Sequence, residues 1–93
     1  MRFEVPVNCL PKGGEAVRGT IVDLSVGGVY VEAPWSPAFG TEVTLAADLP
    51  GAKGMKLPGI VRWTKPSGFG VQFGLLGALE THALAAIVSK ARG

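Results

Sequence analysis

From residue 2 to about residue 76 the apolar side chains recur at every second position, in short runs broken by clusters of glycine and proline. Successive side chains of a strand point to opposite faces, so this pattern confines the chain to half-buried strands joined by tight turns. "RFEVPVNCL" places Phe3, Val5, Val7 and Cys9 on one side and Glu4, Pro6 and Asn8 on the other. Pro6 has no N–H to give to a ladder and suggests an edge strand. "EAVRGTIVDLSV" ends with Val22, Leu24 and Val26 on one face and Asp23 and Ser25 on the other, and "GGVYVEA" resumes with Val29 and Val31 inward and Tyr30 and Glu32 outward. "TEVTLAADL" aligns Val43, Leu45, Ala47 and Leu49; "MKLPGIVRW" aligns Met55, Leu57, Val61 and Trp63; "FGVQFGL" aligns Phe69, Val71 and Phe73. The intervening "PKGG", "PWSPAFG", "PGAKG" and "KPSG" are turns or loops, the second of which exposes Trp35 and Phe39.

At Gly77 the period changes. "ALETHALAAIVSKARG" is rich in strong helix formers and carries a stripe of Leu79, Ala83, Ala86 and Ile87, so a helix is predicted over about 77–92. Six short strands, over about 2–76, and one terminal helix make an all-β (β-rich) class. An antiparallel barrel is the natural closure, because curling the sheet removes its exposed edges and leaves the helix to cover an end or an outer patch. Ninety-three residues allow one core, hence a single domain over 1–93.

Composition narrows the function. Nine Lys and Arg are interleaved with seven acids and form no arm or block, so the clustered positive surface that DNA or RNA binding requires is missing. One cysteine, Cys9, closes no intrachain disulfide and offers no paired metal site. "MRFEVPVN" lacks an apolar leader core, and the longest apolar run, "ALAAIV", is too short for a membrane span, so a cytoplasmic location is expected. The apolar content of 47% is high for so small a domain and hints at a surface kept for a protein partner or a neighbouring domain.

Catalytic constellations are scarce. His82 is the sole histidine and sits among alanines in the helix; a Ser25, His82 and Asp23 grouping lacks any nucleophile elbow or oxyanion hole; the carboxylates are scattered. The chain therefore reads as a binding protein without cofactor or metal, not an enzyme. "GFGVQFG" has the glycines of a nucleotide loop but continues as a strand where a helix N-terminus would be needed. Trp35, Phe39, Trp63 and Phe69 would suit a stacking platform for single strands, although the period-two positions of Trp63 and Phe69 place both in the core.

The stretch "IVDLSVGGVYVE" stands apart. Asp23 and Ser25, two residues apart on one strand face, lie side by side, and Gly27 and Gly28 remove Cβ atoms that would obstruct a flat ligand. A carboxylate matches the N1 and N2 donors of guanine, whereas an arginine matches its O6 and N7 acceptors or a phosphate.

"DLSVGG" also matches the Asp-x-Ser-x-x-Gly motif of PilZ domains through Asp23, Ser25 and Gly28, and "FGTEVTL", "GIVRW" and "FGVQF" resemble that family's later strands. The resemblance covers nearly the whole chain. It implies a six-stranded PilZ-type barrel and a bacterial receptor for cyclic di-GMP that acts through a protein partner on motility, pili, exopolysaccharide or biofilm formation. Ligand residues carried over are Arg2, Asp23, Ser25, Gly27 and Gly28. The family's second motif, Arg-x-x-x-Arg, is incomplete: Arg2 matches its second arginine and the first would fall before Met1. One lost bidentate contact costs on the order of 1.5 to 3 kcal/mol. Arg18 and Arg62 are the candidate replacements, with Arg18 on the opposite strand parity from Asp23. The alternative implied by that departure is a degenerate PilZ domain that binds no cyclic di-GMP and serves as a protein-interaction module.

Overall fold

The computed structural model describes residues 2–25, 27–49 and 52–91, with the side chains of 2, 3, 52, 90 and 91 left aside. Its elements are β1 (Arg2–Pro11), β2 (Val17–Leu24), β3 (Gly28–Glu32), β4 (Glu42–Leu49), β5 (Ala52–Lys65), β6 (Gly68–Phe73) and α1 (Ala78–Ala91). The strands form a closed barrel in the order β1-β2-β3-β6-β5-β4, each pair antiparallel. The expected six-stranded barrel with a C-terminal helix is what the chain forms. Expectations for the side chains of Arg2 and Phe3, and for Val26, lie outside the described residues.

Alternation builds the core. Val5, Val7 and Cys9 point inward from β1, Val43, Leu45, Ala47 and Leu49 from β4, and Phe69 and Val71 from β6, each less than 9% exposed. The 14-residue helix contributes Leu84, Ile87 and Val88 to the same cluster. The stripe read from sequence differs, since Leu79 is 80% exposed and the inward face is set by Leu84, Ile87 and Val88. An alanine-rich helix has too weak a contrast between its faces for the sequence to fix its rotation.

Pro6 does not mark an edge strand, because β1 is paired on both sides. Its missing donor is still accommodated locally: the β1–β4 ladder ends at Val7↔Ala47, next to Pro6, where no N–H is required.

Four of the strand pairs carry a register shift, and the two that fall at Ile21/Asp23 and Val61/Trp63 bear on the site. Along β2, Ile21 faces Val31 and Asp23 faces Tyr30, so Val22 is an extra residue. The inward positions therefore run Val17, Ile21, Leu24; Val22 is buried but does not join the core cluster. Arg18 and Asp23 consequently share the outer face, contrary to the parity read from the sequence. Along β5, Val61 faces Val71 and Trp63 faces Gly70, so Arg62 is extra. Trp63 is thereby turned out of the core, where strict period two had placed it, and is 47% exposed. A bulge re-aims the side chains beyond it, and both of these lie beside one cleft.

Candidate functional site

The cleft begins with the outer face of β6. Inward Phe69 and Val71 alternate with outward Gly68, Gly70 and Gln72, so the middle of this surface carries almost no side chain. Aromatic residues from the neighbouring strands fill the space. The indole of Trp63, from β5, lies directly on Gly70, where any Cβ would overlap the ring; the phenol of Tyr30, from β3, lies over Gly68. Lys65 Nζ stands 5.6 Å from the centre of the Tyr30 ring, within cation–π range.

Register joins these residues into one row across five strands: Arg2↔Asp23, Asp23↔Tyr30, Tyr30↔Gly70 and Gly70↔Trp63. Neighbouring strands are about 4.8 Å apart, so a carboxylate and two aromatics succeed one another at roughly strand spacing. The backbone of Arg2 stands opposite Asp23; its side chain lies outside the described residues.

The turn before β3 is held from within. Ser25 N–H donates to the Gly28 carbonyl at 2.9 Å, Ser25 Oγ bonds both the N–H and the carbonyl of Gly28 at 3.2 Å, and Phe73 N–H donates to the Gly27 carbonyl at 2.9 Å. Ser25 thus braces the loop. Gly28 serves packing as well as access, because a Cβ there would overlap the Val71 carbonyl of β6, whereas Gly27 faces open space. On the opposite wall, Arg62 Nε donates to Gln72 Oε1 at 2.9 Å.

Together these residues enclose a cleft of about 520 Å³, lined by Asp23, Ser25, Gly27, Gly28, Val29, Tyr30, Arg62, Trp63 and Gln72. That volume lies in the range of small-ligand sites, roughly 300–1,000 Å³. Its chemistry is one carboxylate, one guanidinium, a side-chain amide and two aromatic surfaces, which suits a flat, hydrogen-bonding ligand bearing negative charge. Of the residues named from sequence, Asp23, Ser25, Gly27 and Gly28 line the cleft. Arg62, considered there only as a replacement arginine, also lines it, while Arg18 lines a separate depression with Asn8, Asp48 and Lys56. Trp63 and Gln72 were not expected in the site. Their one sequence signal is the pair of glycines at 68 and 70, which leave the outer face of β6 empty.

Among the described residues no three His, Cys, Asp or Glu side chains converge as a metal site, and no helix is long and apolar enough to cross a membrane.

The family model for the PilZ domain matches residues 1–89. Among solved structures, the chain is similar to the PilZ domain of CeSA from a cellulose synthesizing bacterium, with a TM-score of 0.80, 20% sequence identity, and coverage of 100% of this chain and 97% of that one. At this identity the likeness concerns the fold. No curated protein matches the sequence.

Proposed function

The chain belongs to the PilZ domain family, whose members are receptor-type binding domains, and from that premise we propose that the cleft between β2, β3, β6 and β5 is its receptor site for cyclic di-GMP. The observation that carries this reading is the row Arg2, Asp23, Tyr30, Gly70, Trp63, which sets a cationic residue, a carboxylate and aromatic surface in sequence across the barrel. Asp23 accepts from guanine N1 and N2. Ser25, Gly27 and Gly28 hold the loop that presents it, and Arg2 adds a guanidinium for phosphate or the second guanine edge.

Nothing is made or broken in this function. Binding changes the surface around the cleft, and the altered surface is read by a protein partner or a neighbouring domain in the cytoplasm, with motility, pili, exopolysaccharide and biofilm formation as the processes controlled. One domain over residues 1–93 suffices, without cofactor. The alternative, an interaction module that binds no nucleotide, draws support from Trp35 at 45% and Phe39 at 66% exposure in the loop after β3.

Isothermal calorimetry of the chain with cyclic di-GMP separates the two. Saturable binding that Asp23→Ala abolishes, with an unchanged circular dichroism spectrum, supports the receptor. Absence of heat at micromolar protein overturns it in favour of the interaction module.

A further inference from the structure

A second recess, of about 570 Å³, opens on the outer face of β1, β4 and β5, and its apolar lining includes Leu10, Pro58, Ile60 and Leu75. Register sets these residues in a row: Leu10↔Thr44 and Thr44↔Pro58 are paired, and Gly74 N–H donates to the Pro58 carbonyl at 2.9 Å. The row therefore runs from β1 across β4 and β5 to the chain leaving β6, three strand spacings or about 14 Å. Leu10, 45% exposed, stands at one end, and Leu75, 98% exposed, stands at the other. Single exposed leucines are ordinary on a monomer, but two that flank an apolar recess mark a contact surface.

Charge and shape together select what covers it. On the rim, Lys12 Nζ lies 3.7 Å from Glu42 Oε2, so the charges bordering the recess cancel and the face can meet its own copy without like-charge repulsion. The face also carries both a protruding leucine and a recess, the pairing that an isologous contact requires. A two-fold axis parallel to the strands, between β4 and β5, exchanges the two ends of the row. Leu10 of one copy then stands opposite Leu75 of the other, and the reverse contact forms at the same time.

We infer that this chain pairs with a second copy of itself through the outer face of β1, β4 and β5, with Leu75 of each copy entering the recess beside Leu10 of the other. Stable interfaces take about 600–1,000 Å² from each partner, and the lower figure is roughly a tenth of the 5511 Å² surface. A face only about 14 Å wide falls at or below that limit, so the dimer is a weak one, dissociating at tens to hundreds of micromolar. The recess shares no lining residue with the ligand cleft, so the inference stands apart from the nucleotide reading.

Sedimentation velocity of the chain between about 10 μM and 1 mM tests the pairing, with Leu10→Lys, Leu75→Glu and Phe39→Ser as variants. The wild type should pass from monomer to dimer over that range. Each leucine substitution places a charge against an apolar side chain at both contacts and should weaken association at least ten-fold. An equimolar mixture of Leu10→Lys and Leu75→Glu should associate again, because one contact then joins a cation to an anion and the other keeps its two leucines. Phe39→Ser, which alters the separate loop after β3, should associate like the wild type. Unfolding midpoints of the three variants, all at outward positions, should match the wild type. A wild type that stays monomeric throughout overturns the inference. So does a dimer that survives both leucine substitutions or is lost with Phe39→Ser, and so does a mixture of the two leucine variants that remains monomeric.

Discussion

Replacing Gly70 by alanine should force the Trp63 indole off the barrel, because the new Cβ would fall inside the ring while the backbone of β6 is fixed by ladders to β3 and β5. Trp63 is half-exposed and is the group that can move. A tryptophan presents about 150–250 Å² for burial, so the covered half is roughly 100 Å², and its return to water costs at most about 2.5 kcal/mol at 25 cal/mol per Å². Alanine returns about 0.5–1 kcal/mol relative to glycine within a strand. The net loss is therefore about 1–2 kcal/mol, or roughly 5–15 °C in Tm for a domain of this size. The assay is thermal and urea unfolding in a Trp35→Phe background, where Trp63 is the only indole, together with its emission spectrum. Gly70→Ala should shift the emission to the red, lower the midpoint by that amount, and weaken cyclic di-GMP binding about ten-fold through the lost stacking surface. Unchanged emission with a midpoint within about 0.5 kcal/mol of the parent would refute the placement of the ring on Gly70.

The same geometry sets other expectations. Gly28→Ala should lose about 2–4 kcal/mol in urea unfolding, because its Cβ meets the Val71 carbonyl of the paired strand, whereas Gly27→Ala, which faces open space, should stay within about 0.5 kcal/mol. Burial pushes the Cys9 thiol up to about 11. Between pH 9 and 11 the unfolded chain therefore holds fewer protons at Cys9 than the folded one, and stability falls as pH rises through that window. Urea melts should show a loss on the order of 2 kcal/mol in the wild type relative to Cys9→Ala across those pH values. In the folded protein the same thiol should resist alkylation.

The strands were legible because alternation is a local property, and Val5, Val7 and Cys9 or Val43, Leu45 and Ala47 point where their spacing says. Bulges are not local in that sense. Val22 and Arg62 are ordinary strand residues, and their status as extra residues depends on register with β3 and β6, which no single run of sequence contains. Each slip reverses the parity of the strand beyond it, so Ile21 took a core place given to Val22, and Trp63 left the core for the cleft. Half of the site was visible as the Asp23, Ser25 and Gly28 motif. The other half, Arg62, Trp63 and Gln72, required knowledge of which strand lies beside β6. Even within the motif, the sequence could not distinguish a serine that faces ligand from one that braces Gly28.

The central claim, that this cleft receives cyclic di-GMP, is tested most directly by tracking amide and indole resonances of the isotopically labelled chain as cyclic di-GMP is added. Saturable shifts concentrated at Asp23, Ser25, Gly27, Gly28, the Trp63 indole and the Gln72 amide are the predicted result. Spectra that do not change, or shifts confined to the patch around Leu10 and Leu75 on the other side of β5, would contradict it.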